Sequence, residues 1–274
     1  MKPNPFEVTP AVIEETVQES PLIRTLRLKP ERPLPFQAGQ FIELSLPGVG
    51  EAPFTPSSSQ FVTDYLDVTV MKAGFLTEHI HRAMPGDRVG LRGPFGSAYP
   101  LKEFEGRNLL ILGGGCGLAP LRSLFLTLLE EADKYKGIIF LAGAKTPRDC
   151  IYKDGFEEWR RHPKVKLFRA VDEVPPGEAW TEDICLVTKL LEKVQLDPKE
   201  SPAIVCGPPV MMKFGTRDLL KLGFPEDRIY LSMEKKMYCG FGQCRHCLIG
   251  DLYVCQQGPV FTYARIKNEE GIWD

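Results

Sequence analysis

Four of the chain's eight cysteines fall in one short stretch, in the order Cys239-x4-Cys244-x2-Cys247-x7-Cys255. This confines four thiols to one loop and the turn after it. The segment around them, residues 235–274, is too small to hold itself together by apolar burial alone. A gap of four followed by a gap of two is the plant-type pattern of a [2Fe-2S] group, in which two irons share four thiolates. Gly240 and Gly242 let such a loop wrap closely, because glycine accepts backbone angles that other residues resist. A zinc site with four cysteine ligands is the alternative, although such sites usually pair CxxC with CxxC. Thiols without any metal are the third reading. His246, between two of the cysteines, is read as facing solvent or a cluster sulfur. Disulfides need an oxidising compartment. The opening residues MKPNPFEVTP carry no apolar export segment, so the expected location is cytoplasmic.

Upstream of the cysteines the hydrophobic pattern changes once. Residues 1–103 alternate with period two, as in Ile42, Leu44 and Leu46, then Leu66, Val68 and Val70, then Val89 and Leu91. Turn signals separate these runs at Pro47-Gly48, Pro85-Gly86-Asp87 and Gly93-Pro94. Short strands so spaced predict a small antiparallel barrel or sandwich, with one helical break between Leu76 and Met84. From Asn108, strand and helix alternate. Strands are predicted at Leu109 to Leu112, Ile138 to Ala142, Val165 to Phe168, Ala203 to Cys206 and Ile229 to Leu231. Helices are predicted at Leu118 to Ala132, around Phe156 to Arg160 and at Thr181 to Leu191. Alternation of this kind implies a parallel sheet covered by helices. Three units result: a β domain (1–103), an α/β domain (104–234) and a cysteine module (235–274). The apolar fraction of 43% supports cores of that size. The formal charge of -2 gives no nucleic-acid footprint. The aliphatic runs are too short to span a bilayer.

Two glycine-rich turns follow predicted strands. Gly113-Gly114-Gly115-Cys116-Gly117 leads from a strand into a helix, where backbone amides and the helix start favour a phosphate. The motif departs from strict GxGxxG, and an ordinary tight turn competes with it. Cys206-Gly207-Pro208-Pro209 puts a second loop at the carboxyl edge of the same sheet, where open α/β folds bind ligands. A buried cysteine there is otherwise a small hydrophobe. In the β domain, Pro53-Phe54-Thr55 sets an aromatic ring beside a hydroxyl, and Gly74-Phe75-Leu76-Thr77 opens the predicted helix. The first pair suits a flat heterocycle as well as it suits barrel packing.

Together these segments resemble the ferredoxin–NADP reductase superfamily, in the branch of the dihydroorotate dehydrogenase electron-transfer subunit. The resemblance rests on Phe36 to Phe41 (FQAGQF), Pro47 to Ser59 (PGVGEAPFTPSSS), Pro85 to Gly96 (PGDRVGLRGPFG), Gly113 to Ser123 (GGGCGLAPLRS), Cys206 to Met212 (CGPPVMM) and Cys255 to Phe261 (CQQGPVF). It covers essentially the whole chain. Similar chains are the gamma (diaphorase) subunits of cytosolic NAD(P)-linked nickel–iron hydrogenases, or sulfhydrogenases, and the electron-transfer subunit of anaerobic sulfite reductase.

The resemblance implies an FAD-binding barrel, an NAD(P)-binding α/β domain and a [2Fe-2S] module held by Cys239, Cys244, Cys247 and Cys255. It places the flavin ring at Pro53, Phe54 and Thr55, with the Thr55 hydroxyl near the reacting nitrogen. It assigns the FAD pyrophosphate to Gly74, Phe75, Leu76 and Thr77. The nicotinamide dinucleotide falls to Gly113, Gly114, Gly115 and Gly117, with Cys206, Gly207 and Pro208 beside the hydride path. The wider superfamily has arginine at Ala52 and tyrosine at Phe54. Arg82 or backbone amides then face the flavin phosphates, and FMN is the smaller alternative. Lys145 and Arg148, after the second strand of the α/β domain, are candidates for a 2′-phosphate and equally for solvated surface charges.

The expected function is electron transfer between NAD(P)H, FAD, the cluster and a catalytic partner subunit. Val260, Phe261 and Tyr263 are candidates for the partner contact or for packing the module. A stand-alone NAD(P)H reductase of a soluble acceptor is the second reading. A zinc-stabilised binding protein that has lost redox function is the third.

Overall fold

The computed structural model describes residues 4–273. Its first six strands are β1 (Thr9–Ser20), β2 (Ile23–Pro30), β3 (Phe41–Leu46), β4 (Gly50–Phe54), β5 (Leu66–Met71) and β6 (Arg88–Phe95). They form an antiparallel sheet in the order β4-β3-β6-β1-β2-β5. A bridge from Pro56, just past β4, to Val68 in β5 brings the two sheet edges together and closes the barrel. Alternation decides which side chains fill it. Ile42 and Leu44 of β3 join Ile13, Leu26, Leu28, Val68, Val70 and Leu91 in the interior. Their neighbour Phe41 belongs instead to a core that holds Cys247, Val254 and Cys255. The outer face of β3 is thus covered by the cysteine module. The predicted helical break is α1 (Phe75–Ile80).

A short helix α2 (Leu101–Phe104) leads into the second sheet. Its elements are β7 (Asn108–Gly114), α3 (Leu118–Glu130), β8 (Gly137–Ala144), α4 (Lys153–Trp159), β9 (Val165–Val171), β10 (Asp183–Ile184), β11 (Ala203–Cys206), α5 (Pro209–Lys221) and β12 (Ile229–Ser232). Strands β7 to β12 run parallel, in the order β10-β9-β8-β7-β11-β12. From β7 the chain winds outward through β8, β9 and β10, then returns to the other side of β7 with β11. The strand order therefore reverses between β7 and β11, which is where open α/β sheets bind ligands.

One predicted element is different. The stretch Thr181 to Leu191, read as a helix, holds β10 followed by a 3-10 helix over Val187–Lys193. Val187, Leu190 and Leu191 supplied the helical spacing and are buried as it requires. The turn stays tight because Val187 lies directly on Gly143 of β8, where an added Cβ would come within 2.6 Å of the valine.

The cysteine segment adds the small hairpin β13 (Leu248–Ile249) and β14 (Leu252–Tyr253), then α6 (Val254–Gln257), β15 (Val260–Thr262) and α7 (Tyr263–Ile266). Strand β15 pairs antiparallel with β12 and extends the nucleotide-domain sheet. Val260 and Phe261 are buried by this pairing, so these two residues pack the module onto the sheet. No helix among the described residues is long and apolar enough to cross a membrane.

Since Phe261 is 2% exposed and anchors the module to the sheet, Phe261→Ala is expected to destabilise the protein by about 3–5 kcal/mol. Chemical denaturation of the cofactor-loaded protein checks this, and a loss under about 1 kcal/mol would contradict the anchoring role.

Candidate functional site

The two loops at the reversal point meet backbone to backbone. A Cβ on Gly117 would lie 2.5 Å from the Gly207 amide and 2.7 Å from the Cys206 carbonyl carbon. One on Gly114 would strike the Met211 sulfur at 2.8 Å. Gly115 has φ +57, and Gly207 has φ +156 with Met211 against it. Side chains at Gly114, Gly117 and Gly207 would force the loops apart, whereas Gly115 has open space beside it and needs glycine only for its left-handed backbone. As built, the loops leave a smooth backbone surface at the carboxyl ends of β7 and β11.

That surface is one wall of a cavity of about 440 Å³ between the barrel and the second sheet. Pro53, Phe54 and Thr55, at the end of β4, form the opposite wall. The structure therefore brings Pro53, Phe54, Thr55, Gly115, Gly117, Cys206, Gly207 and Pro208 to one place. The cavity is the right kind of space for a flat aromatic group stacked against a second ring: apolar in the main, with a few polar groups. Gly113 and Gly114 lie just behind it, and Gly113 provides the close approach to Leu118 of α3.

Gly74, Phe75, Leu76 and Thr77 lie off the cavity wall, at the start of α1. The Thr77 hydroxyl accepts hydrogen bonds from the Ala73 and Gly74 amides at 2.8 and 2.9 Å and fixes this turn. No atom lies within 4 Å of the position a Gly74 Cβ would take. Arg82 follows the far end of α1, about 12 Å from Gly74 at 1.5 Å per residue.

Both thiols of the cavity are neutral. Burial pushes Cys206 up to about 12, against the opposing effects of Ser232 and the Gly207 amide. Burial likewise pushes Cys116 up to about 12. Neither is a thiolate nucleophile at neutral pH; they shape the wall. Sequence reasoning missed several lining residues, including Cys116, Glu234, Met237 and Trp273. Glu234 was findable, since it lies two residues past the end of β12 at the same carboxyl edge. Trp273 carried no local signal. It reaches the cavity because the chain folds back after α7, and its ring stacks on Tyr263 at 6.4 Å.

The two domains forming the cavity are tied by charge. Arg122 of α3 donates to the Ser57 carbonyl at 2.8 Å and to Asp67 at 3.3 Å. Asp67 is also held by Arg27 at 3.0 Å. The Tyr152 hydroxyl lies 2.6 Å from that of Thr69, and the Tyr152 amide donates to Glu19 at 2.8 Å.

The four clustered cysteines come together in two pairs. The Cys247 and Cys255 sulfurs, both buried, are 3.3 Å apart. Cys239 accepts from the Cys244 amide at 3.5 Å, and these two are only partly buried. Among the described residues no three metal-binding side chains meet at one point. A donor set arranged two and two fits a binuclear group better than a single zinc ion. Burial raises the Cys239 thiol, but the amides of Cys244, Phe241 and Gln243 outweigh it and bring it down to about 7. The loop thus favours a thiolate there, as metal binding needs. The turns depend on Gly240 and Gly242, both at φ +82, whose Cβ atoms would strike Phe95 and Gln256 at 2.7 and 2.5 Å. His246 packs its ring edgewise against Tyr238.

Arg92 of β6 fastens this loop to the barrel. It donates to the Cys239 and Tyr238 carbonyls at 3.2 and 3.3 Å and to the Pro5 carbonyl at 2.8 Å. It also pairs with both oxygens of Glu51, at 2.8 and 2.6 Å. Glu43, opposite Arg92 in the sheet register, is fully buried, and neither of its oxygens has a hydrogen-bond partner. Burial first, then Glu51 and the Cys239 thiol, push its carboxyl up to about 8, with Arg92 only partly opposing.

Comparison with known proteins agrees with this arrangement. Residues 10–99 match the oxidoreductase FAD-binding domain. Residues 111–217 match the oxidoreductase NAD-binding domain. Residues 234–267 match the iron-sulfur cluster binding domain of dihydroorotate dehydrogenase B. The sulfhydrogenase 1 subunit gamma of Pyrococcus furiosus is 34% identical over 243 residues, covering 87% of this chain and 83% of that protein. The sulfhydrogenase 2 subunit gamma of the same organism is 36% identical over 252 residues, with 86% of each chain covered. A probable dihydroorotate dehydrogenase B (NAD(+)) electron transfer subunit of Methanocaldococcus jannaschii is 32% identical over 259 residues, covering 93% and 90%. Among solved structures, a chain of the NADH-dependent reduced ferredoxin-NADP oxidoreductase has the same fold. The TM-score is 0.76 at 23% identity, over 97% of this chain and 91% of that one.

The buried Glu43 yields a pH prediction. Below its ordinary value of 4.5 the carboxyl is neutral both folded and unfolded, so it carries no charge penalty. Between pH 4.5 and about 8 only the unfolded chain ionises, so stability declines as pH rises, and it levels off above that window. Glu43→Gln removes the slope. The stability of the variant relative to wild type is expected to grow across the window by up to a few kcal/mol, at about 1.4 per pH unit. Paired denaturation curves from pH 4.5 to 9 decide this, and two curves that stay parallel would contradict it.

Proposed function

Because the chain belongs to the ferredoxin–NADP reductase-like family of FAD- and NAD-binding oxidoreductases that carry a dihydroorotate dehydrogenase B-type iron-sulfur domain, we propose that it is the diaphorase-type subunit passing electrons between NAD(P)(H) and a catalytic partner through FAD and a [2Fe-2S] cluster. The observation that carries this reading is the cavity itself. It sets Phe54 and Thr55 of the FAD-binding domain across from Gly115, Gly117 and Cys206 of the NAD-binding domain. When bound, FAD supplies the exchange of a two-electron hydride for single electrons, and the cluster supplies a one-electron outlet.

The chain's own residues have distinct tasks in this proposal. Pro53 and Phe54 give the flavin ring a flat apolar support, and the Thr55 hydroxyl orients its reacting edge. Gly74, Phe75, Leu76 and Thr77 offer the backbone at the start of α1 to the FAD phosphates. Gly115 and Gly117 let the dinucleotide phosphates approach the backbone, Gly113 and Gly114 seat the loop against Leu118, Leu121 and Met211, and Gly207 and Pro208 complete the surface. Cys206, neutral and buried, packs beside the nicotinamide and fixes its distance from the flavin. Small errors in such positioning are costly in rate. Cys239, Cys244, Cys247 and Cys255 hold the cluster, with two pairs of thiols for two irons.

A partner subunit is part of the proposal. Cys239 and Cys244 form the partly exposed side of the ligand loop, with Tyr238 and Leu248 exposed beside it. A cluster held there is reachable from outside the chain. Relatives at 34% and 36% identity are sulfhydrogenase gamma subunits, which favours a nickel–iron hydrogenase as the partner. The dihydroorotate dehydrogenase type, at 32%, is the second choice.

The proposal separates the two halves of the path. Cys244→Ser is expected to lose the iron-sulfur absorbance and more than half of the bound iron. It should still accept hydride from NAD(P)H, since none of the four clustered cysteines lines the cavity where that step occurs. Iron and flavin analysis with anaerobic rapid mixing tests both points. A folded, flavin-loaded variant that no longer bleaches with reduced nucleotide would contradict the order of carriers. Stoichiometric zinc without iron in the wild-type protein would contradict the cluster.

A further inference from the structure

Among the described residues three charged side chains are buried: Glu43, Asp67 and Arg92. Asp67 is answered by Arg27 and Arg122. The other two sit together beneath the cysteine loop, and neither lines the cavity. A buried charge is costly unless it is fully paired. Arg92 meets that condition, since all five of its N–H groups have an acceptor. Two go to the oxygens of Glu51, at 2.8 and 2.6 Å. The other three go to backbone carbonyls: Pro5 at 2.8 Å, Cys239 at 3.2 Å and Tyr238 at 3.3 Å.

These bonds hold the guanidinium still, and its surroundings are apolar. The Phe95 ring lies 5.6 Å from it and also packs on the loop, where a Cβ on Gly240 would come within 2.7 Å of that ring. On the N-terminal side Phe6 stands edge-on to Phe241 of the same loop, at 5.0 Å. A charge in such surroundings acts more strongly on its neighbours than it would in water. Its partner is weaker at that task. The Glu51 side chain is 27% exposed against 7% for Arg92, so solvent screens the carboxylate more. Glu43 does not cancel the cation either, because burial pushes its carboxyl up to about 8 and leaves it largely neutral at neutral pH. The loop therefore feels a net positive charge at its first cysteine.

We propose that Arg92 is a positioning residue for electron transfer: its fixed charge raises the reduction potential of the group held by Cys239, Cys244, Cys247 and Cys255, and Glu51 opposes it. The inference rests on the [2Fe-2S] reading of that loop and adds what sets its potential. Reduction brings one electron from the flavin, and so one negative charge, to the thiolate-bound irons, with no bond made or broken. A cation fixed at the Cys239 carbonyl favours the reduced form, since net charge, hydrogen bonds and exposure are the protein's levers on such potentials. A purely mechanical bolt would need the hydrogen bonds of Arg92 but not its charge, and two substitutions separate these roles. Arg92→Lys keeps a cation and loses the planar fork, whereas Arg92→Gln keeps a donor and loses the cation.

The test is an anaerobic redox titration, at neutral pH, of the full chain loaded with iron and flavin, followed by electron paramagnetic resonance of the reduced group. Arg92→Gln is expected to lower the ratio of reduced to oxidised protein at a given potential about tenfold, a shift of about 59 mV for one electron. Arg92→Lys is expected to stay within about threefold of wild type. Glu51→Gln removes the opposing charge and leaves Arg92 in place, so it is expected to shift the ratio the other way by about threefold. This last variant decides the matter if Arg92→Gln fails to hold iron. An unshifted Arg92→Gln, or a Glu51→Gln that is unshifted or shifted downward, would overturn the inference while leaving the cluster in place. So would equal downward shifts in the lysine and glutamine variants, which would make Arg92 a bolt and nothing more. Wild-type protein that carries flavin but no iron would remove the cluster reading and this inference with it.

Discussion

Two backbone loops touch at the reversal point of the parallel sheet, and the geometry of the site depends on that contact. Gly117 lies against Cys206 and Gly207 so closely that a single methyl group would be at 2.5 Å from backbone atoms on the facing loop. The contact sets how far the strand ends of β7 and β11 are from each other. Through them it sets the wall that faces Phe54 and Thr55. The barrel is in turn held at a fixed distance by Arg122, which crosses from α3 to Ser57 and Asp67. The cavity is therefore defined from both sides by rigid elements rather than by loops that must close.

The cysteine module is joined to both domains, and by different physics. To the parallel sheet it contributes a strand, β15, whose hydrogen bonds and buried Phe261 make it part of that core. To the barrel it is joined through Arg92, a mostly buried guanidinium that reaches the carbonyls of Tyr238 and Cys239. Arg92 answers one carboxylate, Glu51, and leaves the second, Glu43, buried without a hydrogen bond. A buried acid of this kind costs stability when charged. It is retained at the point where the barrel meets the first cysteine of the ligand loop.

Much of this was legible in the sequence, and for definite reasons. The cysteine spacing and its two glycines described a metal-binding loop, and the structure pairs those thiols. Alternation in Ile42 and Leu44 and in Val68 and Val70 gave the barrel, because those residues face a dry interior. The glycine loop and Cys206-Gly207-Pro208 lie at strand ends, so the sheet brings them together. The misreading of Thr181 to Leu191 came from a burial pattern that a 3-10 helix and an α-helix share at spacings of three and four. Trp273 and Glu43 were invisible for another reason. Their roles come from where a distant segment folds back, and from which face of β3 the module covers. Neither is encoded within a few residues of the side chain.

In the proposed path, hydride enters at the cavity and its electrons leave singly through the cysteine loop. The direct measurement is electron paramagnetic resonance on anaerobic protein frozen at intervals after mixing with NADH. The predicted result is bleaching of the flavin followed by growth of a reduced [2Fe-2S] signal, approaching one spin per chain with excess NADH. Complete flavin reduction with no iron–sulfur signal, in protein carrying two irons, would show that the cluster is not on the path.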